Sequence, residues 1–376
     1  MLDHTDPYAI IVETARRFSQ DKLAPTAAER EKAGRIEPEI VAALGEMGFL
    51  GATNSADWGG SEIPYETYAQ VVEELAAGDG SVSTLVSVHN APTCEILEKF
   101  GSPEQKERWL RPMASGQAVG SFALTESGAG SDASGIRTRA VRSNAGYSIN
   151  GSKQFISNAS IGRTTILFAV TDPSAGKKGI SAFVVANDTP GFKIAKVESK
   201  LGQKASDSCA LNFDDMQVDD SQRIGAEGEG LKIALSTLES GRIGIAAQSV
   251  GMARAALEYA IAYAKGRRQF GKPIIEHQAV AFRLVDAKTQ LAAARELTLR
   301  AARLKDSGQP ALEAAAMAKL FASEAAERIC SIAIQTLGGY GYLADYPVER
   351  ISRDVRVCQI YEGTSDVQKI ILSRML

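Results

Sequence analysis

Apolar residues in the first third of the chain recur with the spacing of α-helices. Ile10 and Phe18 fall on one face of the first stretch, and Pro25 should end it. Further helices are predicted over residues 38–48, from Tyr65 onward, and as a buried pair over residues 81–100. Ser102, followed by proline and two helix-starting residues, predicts another start. Residues 1–120 are therefore expected to form an N-terminal helical domain.

The hydrophobic pattern changes near Gly120, where short apolar or alternating runs replace helical spacing. Residues 165–170 and 180–185 are rich in β-branched and aromatic residues, as strands are. Asn150-Gly151, between two apolar stretches, predicts a hairpin turn. Because no helix-length pattern interrupts this block, an antiparallel β domain or small barrel is expected over residues 121–225.

Helical spacing returns in residues 226–376. Leu284, Leu291 and Thr298 repeat every seven residues, and alanines repeat in the same register. The prediction is a C-terminal bundle of four long helices. The fold class is thus mainly α with a β middle domain.

Composition narrows the function classes. The 376 residues are 44% hydrophobic and 23% charged, which is typical of a soluble globular protein. A net charge of −3 without a long basic run argues against nucleic-acid binding. Four scattered cysteines and three histidines predict no metal site, and no apolar run reaches the roughly 20 residues of a membrane helix. Asp3, Asp6 and Glu13 make the N-terminus unlike a targeting peptide, so a cytoplasmic protein is expected.

One carboxylate near the C-terminus is a candidate general base. Glu362 lies between an Ile-Tyr pair and a Gly-Thr turn, and Ser365 with Gln368 has the spacing of a capping box that starts a helix. Burial in such a loop would raise the pKa of Glu362 toward neutrality, as a base working near pH 7 requires. The alternative is an ordinary surface glutamate.

A glycine-rich stretch imitates a dinucleotide-binding motif. Gly128, Gly130 and Ala133 match G-x-G-x-x-A, but that motif needs a helix directly after it. An alternating β pattern follows here instead. The segment taken alone is a glycine-rich turn.

Several segments together resemble one enzyme family, the acyl-CoA dehydrogenases. Residues 122–132 (FALTESGAGSD) resemble its middle-domain signature, and residues 361–365 (YEGTS) resemble its catalytic-base segment. Residues 153–158 (KQFISN), 267–271 (RRQFG) and 335–339 (QTLGG) resemble further stretches of the family. The likeness covers nearly the whole chain from residue 58 onward. It is strongest toward short-chain (butyryl-CoA) dehydrogenases.

The resemblance implies an FAD site. Around the flavin ring it implies Phe122, Leu124, Thr125, Ser131, Phe155 and Ser157. Toward the diphosphate and adenosine it implies Arg267, Phe270, Gln278, Gln335, Gly338 and Gly339, with Arg267 and Gln278 reaching a neighbouring subunit's cofactor. Beside the base it implies Thr364 and Asp366. Phe155 stands where the family often has tryptophan. Phenylalanine keeps the apolar contact but lacks the indole N–H donor. Taken singly, Phe155 reads as a core strand residue.

The resemblance also implies a substrate site. Acyl-CoA contacts are implied for Ser131, Glu239, Arg242 and Gly363, and Glu362 is the implied α-proton base. Some branches of the family carry the base on the helix immediately before the arginine that matches Arg242. This chain has Gly241 there, which is consistent with Glu362 as the base.

The implied activity is FAD-dependent α,β-dehydrogenation of a short-chain acyl-CoA to a trans-2-enoyl-CoA, with electrons passed to electron-transfer flavoprotein. A homotetramer is implied as well. The alternatives are a flavin-dependent oxidase or monooxygenase on the same fold, a dehydrogenase of branched short-chain acyl-CoA, and a non-catalytic binding protein. Acyl length is not decided by the sequence.

Overall fold

The computed structural model describes residues 6–144 and 146–376; Asp3 and the rest of residues 1–5 lie outside the described residues. Eight helices precede the sheet: α1 Pro7–Phe18, α2 Ala27–Ala33, α3 Pro38–Glu46, α4 Tyr65–Gly78, α5 Gly80–Val88, α6 Glu95–Phe100, α7 Pro103–Gln105 and α8 Arg111–Ala114. The predicted helical first third is confirmed.

Local sequence signals explain several helix ends. Ser102 and Gln105 form a reciprocal capping box, with Pro103 at the first helical position, as predicted. α3 stops before Gly48, which adopts φ 74°. The predicted stop at Pro25 is less sharp, because α1 ends at Phe18 and irregular helical turns carry the chain through the proline.

The middle of the chain forms one twisted sheet. Its strands are β1 Gly120–Ala123, β2 Arg139–Ser143, β3 Gly146–Ile156, β4 Thr164–Val170, β5 Ile180–Ala186, β6 Phe192–Val197, β7 Cys209–Val218 and β8 Arg223–Ile224. The order is β6-β7-β3-β2-β4-β5-β8, with β1 paired to β4. Most pairings are antiparallel as predicted, but β1 and β2 each pair with β4 in parallel.

The predicted hairpin at Asn150-Gly151 is wrong. Both residues lie inside β3, and the β2–β3 hairpin closes where Ser143 pairs with Gly146. Asn150 and Gly151 mark a register shift against β7 instead. A Cβ on Gly151 would lie 2.7 Å from the Thr138 Cα, so close backbone approach explains the glycine.

The C-terminal third has three long helices rather than four. They are α9 Gly230–Gly266, α10 Gln278–Asp306 and α11 Leu312–Leu337, followed by α12 Pro347–Val355 and α13 Ser365–Ser373. A short hairpin, β9 Arg268–Gln269 with β10 Lys272–Pro273, separates α9 from α10. The predicted fourth helix is divided into two short ones. Pro347 begins α12, and the loop that contains Glu362 separates α12 from α13.

Helices from the first and last thirds of the chain pack together around shared apolar clusters. α4 packs against α9 and α10, and α11 packs against α9 and α10. The predicted seven-residue stripe is buried on α10 at Leu284 and Thr298, and Leu291 packs at its edge. None of the described helices combines the length and apolarity needed to cross a bilayer. This packing places the Glu362 loop, between α12 and α13, against α9 and α11.

Candidate active site

The Glu362 loop has an unusual backbone. Glu362 adopts φ 53° and Gly363 adopts φ 86°. A left-handed conformation is unfavourable for a glutamate, so surrounding contacts must hold it. Thr364 caps α13 by accepting a hydrogen bond from the Val367 amide at 3.2 Å. The predicted cap at Ser365 is therefore wrong by one residue, since Ser365 is already helical.

Two side chains hold the carbonyl that follows Glu362. Lys319 Nζ on α11 donates to the Gly363 carbonyl at 2.7 Å, and Gln368 Nε2 donates to the same oxygen at 2.9 Å. Lys319 is 0% exposed. Gln368, expected to complete a capping box, instead binds the loop. The implied substrate contact at Gly363 cannot use its carbonyl freely, because that oxygen already accepts two donors.

The residue before Glu362 is fixed by a buried polar network. The Tyr361 hydroxyl donates to Gln248 Oε1 of α9, and Gln203 Nε2 donates to the Tyr361 oxygen at 3.4 Å. Gln203 also donates to the Asp354 carbonyl at 3.1 Å. Because Gln203 follows strand β6, this network ties the loop to the sheet as well as to the helices.

The Glu362 carboxylate lies against a glycine of α9. A Cβ placed on Gly241 would be 2.6 Å from Glu362 Oε2. Any side chain at this position would therefore displace the carboxylate. Oε2 is buried and has no hydrogen-bond partner among the residues that the structure describes. An unpaired buried carboxylate oxygen is costly to fold, and such groups mark functional sites.

The surroundings shift the protonation of Glu362. Burial raises its pKa from the usual range to about 7, while the charges of Arg242 and Lys319 oppose the rise. Burial lowers the pKa of Lys319 to about 8 and also lowers that of Arg242. A carboxylate with a pKa near 7 can accept a proton at neutral pH.

Two of the implied substrate contacts, Glu239 and Arg242, lie on α9, and the charge of Arg242 acts on Glu362. Arg242 is buried, and its Nε has no partner among the described residues. Glu239 is half-buried and lies 3.6 Å from Lys305 Nζ. The Arg242 Nε–H could therefore donate to an anionic or carbonyl oxygen, while Glu239 is engaged in an ion pair.

A buried ion pair anchors the loop after β1. Lys153 Nζ donates to Glu126 Oε1 at 2.8 Å and to the Leu124 carbonyl at 2.9 Å. The backbone N–H of Gln154 donates to the Thr125 carbonyl at 2.9 Å. Leu124 itself is buried, while Thr125 stays half-exposed. These contacts fix the backbone of the loop at Leu124 and Thr125.

Phe155 is not a core residue. Its side chain is 63% exposed and its φ is 60°, which contradicts the reading of a buried strand residue. A strand end that holds an aromatic ring toward solvent suits a flat ligand. Ser157 is half-buried beside it, and Asn158 next to Ser157 binds the Leu85 and Gly120 carbonyls. Phe122 packs its ring on Phe168, 5.1 Å between centroids.

Another part of the predicted cofactor site forms a pocket of about 580 Å³ on the helical side. Arg267, Gly338 and Gly339 line it, and the Arg267 guanidinium lies 5.7 Å from the Tyr340 ring. The remaining predicted residues do not line this pocket: Phe270, Gln278 and Gln335 are exposed elsewhere. Ser131 and Asp366 are exposed as well.

Sequence reasoning missed Lys319 and the Lys153–Glu126 pair. The signal for Lys319 was a lysine within the small-residue stripe of α11, where Ala315 and Ala322 are also buried. A charged residue on a buried helix face needs a partner. That partner is a backbone carbonyl, which no side-chain pattern reveals.

Comparison with known proteins identifies the family to which this chain is similar. Domain models of the acyl-CoA dehydrogenases match residues 5–117 (N-terminal domain), 121–216 (middle domain) and 228–376 (C-terminal domain). The short-chain specific acyl-CoA dehydrogenase of Clostridium acetobutylicum is 41% identical over 364 residues, covering 97% of this chain and 96% of that protein.

Two solved structures have the same fold. Butyryl-CoA dehydrogenase of Megasphaera elsdenii superposes with a TM-score of 0.97 at 41% identity, covering 100% of this chain and 99% of the other. A chain from work on the electron transferring flavoprotein of Acidaminococcus fermentans and flavin-based electron bifurcation superposes with a TM-score of 0.97 at 42% identity, covering 100% and 99%. With all three domains matched and close relatives spanning its full length, the chain belongs to the acyl-CoA dehydrogenase family.

Proposed function

We propose that this protein is an FAD-dependent dehydrogenase of short-chain acyl-CoA thioesters, with Glu362 as the base that removes the α-proton. The observation that carries the proposal is the buried Glu362 oxygen without a hydrogen-bond partner among the described residues, on a carboxyl whose pKa is raised to about 7. Relatives specific for short-chain acyl-CoA support the substrate class.

The residues present fit FAD. Thr125 and the exposed Phe155 ring offer a polar loop and an apolar face for a flavin ring. Arg267, Gly338 and Gly339 offer a cation and open backbone for a diphosphate and adenosine. The bound FAD supplies a two-electron acceptor for the hydrogen lost from the β-carbon.

Glu362 is prepared for its task before substrate arrives. The Tyr361 network and the Lys319–Gly363 bond hold the loop, so the carboxylate need not be reorganised during reaction. A water-poor site raises the basicity of the carboxylate. Arg242 lies within electrostatic reach and keeps the ionised form accessible. Loss of the α-proton to Glu362 and of a hydride equivalent from the β-carbon leaves a trans double bond.

Two partners follow from the same proposal. Exposed aromatic side chains, Phe270 at 94% and Tyr342 at 86%, lie at the hairpin and after α11, as expected of a homo-oligomer such as a tetramer. Electron-transfer flavoprotein is the proposed electron acceptor, supported by the similar chain from work on that flavoprotein.

Anaerobic titration tests the activity. Purified protein is mixed with butyryl-, isobutyryl-, isovaleryl-, octanoyl- and palmitoyl-CoA while the visible absorbance of the flavin is followed. Bleaching by butyryl-CoA is expected, and a branched thioester acting better would move the substrate class. Flavin that stays oxidised with all five would overturn the dehydrogenase, and protein unable to hold FAD would overturn the enzyme.

Substitution of Glu362 tests the base. Glu362→Gln keeps the size of the side chain and removes its basicity, so flavin reduction should slow by about 10²–10⁴-fold while FAD stays bound. The matched control is Glu324→Gln, a half-exposed α11 acid 3.6 Å from Lys369. Near-normal reduction by Glu362→Gln would remove Glu362 from the mechanism.

A further inference from the structure

The loop between β6 and β7, residues 198–208, is held at its ends and at its middle by different parts of the molecule. Its ends meet where the Glu198 N–H donates to the Ser208 carbonyl at 2.8 Å, and the Glu198 carboxylate accepts from Gln154 Nε2 at 2.8 Å. Its middle, at Gln203, is buried. Compact loops whose ends lie close together and whose side chains pack inward are frequently functional.

One end of this loop fixes the backbone that follows Phe155 and Ser157, two implied flavin contacts. Asp207 Oδ1 accepts a hydrogen bond from the Asn158 N–H at 2.5 Å, and Asp207 Oδ2 accepts one from the Ser160 N–H at 2.7 Å. Asn158 adopts φ 65°, a left-handed conformation that few residues other than glycine adopt. Because hydrogen bonds to a carboxylate are stronger than neutral ones, Asp207 stabilises this turn beyond β3.

The middle of the loop is fixed to the end of α12. A Cβ on Gly202 would lie 2.2 Å from the Arg353 carbonyl oxygen, so the two backbones are in direct contact. The Gln203 N–H donates to Asp354 Oδ1, and Gln203 Nε2 donates to the Asp354 carbonyl at 3.1 Å. Gln203 adopts φ 46°, so these contacts hold it in an unfavourable backbone conformation, as occurs at functional positions.

The Gln203 side chain also reaches the residue that precedes the base. Its Nε2 donates to the Tyr361 oxygen at 3.4 Å, and its Oε1 accepts from Thr84 Oγ1 at 2.5 Å. Gln203 is 3% exposed, so removal of its amide leaves buried polar groups unsatisfied. Tyr361 therefore has a partner from the β6–β7 loop as well as Gln248 of α9, and Glu362 follows it directly.

We propose that the 198–208 loop links the flavin-facing turn to the base, with Asp207 and Gln203 as positioning residues at its two contacts. The inference rests on the proposed dehydrogenase function and adds two residues to it. Each acts through another group: Asp207 holds the turn beyond β3, and Gln203 holds Tyr361 before Glu362. A change at one contact should therefore be felt at the other, because coupling is carried by contiguous packed groups and hydrogen bonds.

Equilibrium titration of the full-length chain with FAD measures the link from the base side. Gln203→Met keeps the length of the side chain and removes its amide, so FAD affinity should fall by about fivefold or more, as measured couplings between sites do. The Gln203 hydrogen bonds go to Thr84, Asp354 and Tyr361, so a direct loss of contact with residues 154–160 does not explain the fall. Lys204→Met, the same change at the exposed next residue, should stay within about twofold of wild type.

Proton exchange measures the link from the flavin side. Acetyl-CoA has α-hydrogens and no β-carbon, so in deuterium oxide Glu362 can exchange its protons for deuterons while no hydride is lost. With FAD saturating, Asp207→Asn should slow this exchange, and flavin reduction by butyryl-CoA, by about tenfold with little change in KM, because a misplaced base affects the rate more than binding. Asp214→Asn, at an exposed carboxylate of β7 that lies 3.5 Å from Lys193 Nζ, is the matched control.

The link requires both cross-effects, with neither control showing one. FAD affinity unchanged by Gln203→Met, or exchange and reduction unchanged by Asp207→Asn, would overturn it, since each residue would then act only on its own neighbours. Should Gln203→Met fail to fold, Tyr361→Phe takes its place in the titration, because it removes the hydroxyl that the Gln203 amide reaches.

The same results separate this inference from the proposed function. A wild type that binds FAD, leaves the acetyl-CoA protons in place and is reduced by none of the thioesters would overturn the dehydrogenase and the link together. A wild type that is reduced by butyryl-CoA, with no cross-effect in the two variants, would overturn only the link.

Discussion

Two turns of this chain have nearly the same φ angles and very different surroundings. In the α12–α13 loop, Glu362 and Gly363 adopt φ 53° and 86°; in the hairpin after α9, Phe270 and Gly271 adopt φ 51° and 82°. The hairpin conformation follows from the two-residue turn between β9 and β10, which favours left-handed residues. Phe270 is 94% exposed.

The Glu362 turn has no hairpin to explain it. Lys319, Gln368 and the Tyr361 network hold the backbone from separate helices, and the carboxylate oxygen against Gly241 has no partner within residues 6–144 and 146–376. The comparison teaches that a left-handed residue by itself says little. What distinguishes the Glu362 turn is that other helices fix its backbone, while one oxygen of its side chain has no partner among the described residues.

The largest effect on the Glu362 turn is expected from filling the space beside Gly241. Gly241→Ala would bring a Cβ to 2.6 Å from Glu362 Oε2, so the carboxylate must move. Flavin reduction should slow on the order of 10²-fold, because small misplacements of a catalytic group cost that much. Stopped-flow reduction measures it. Gly266→Ala, at the end of α9 where an added methyl meets nothing within 4 Å, is the control, and equal rates in the two variants would contradict the account.

The next effect comes from the lysine under the loop. Lys319→Met removes a positive charge that lowers the pKa of Glu362, so that pKa should rise and the acid limb of kcat/KM should move to higher pH. A rise of roughly one unit would lower kcat/KM at pH 7 by up to about tenfold, with recovery at higher pH. Lys369→Met removes an exposed charge on α13 as the control. An unmoved acid limb would show that Lys319 does not act on Glu362.

A change in the hairpin should affect binding and leave the chemical step alone. Phe270→Ala should weaken FAD binding about tenfold, because the family resemblance implies that this exposed ring covers a bound cofactor, while reduction at saturating FAD stays near wild type. Equilibrium FAD titration and stopped-flow reduction separate the two. Ile10→Ala, an exposed apolar residue of α1, is the control. Slower reduction with unchanged FAD affinity would reverse the roles assigned to the two turns.

The smallest effect concerns the helix cap behind Glu362. Thr364→Ala removes the side-chain acceptor for the Val367 amide and should cost about 1 kcal/mol in the free energy of unfolding. Ser365→Ala should change it by less than about 0.5 kcal/mol, since the Ser365 hydroxyl has no partner among the described residues. Denaturant unfolding of the FAD-bound protein compares them. The reverse order would restore Ser365 as the cap.

The helices, the sheet and the loop that carries Glu362 could be predicted from the sequence, because each depends on local spacing or on a short motif such as YEGTS at residues 361–365. The cap at Thr364 was missed because Thr and Ser are equally good caps one residue apart, and only the fold selects between them. The hairpin at Asn150-Gly151 was predicted wrongly because Gly151 is needed for close contact with Thr138, and the sequence does not distinguish such a glycine from one that a turn requires. Lys319 was missed because its partner is a carbonyl 44 residues away.

The most direct test of the central claim is the pH dependence of kcat/KM for flavin reduction by butyryl-CoA, which reports groups of the free enzyme. Glu362 must be ionised to take the α-proton, so kcat/KM should hold above a pKa of about 7 and fall tenfold per pH unit below it. The Glu362→Gln variant should lose this limb along with its activity. A wild-type profile that stays flat down to about pH 5 would mean that Glu362 keeps an ordinary pKa or is not the base.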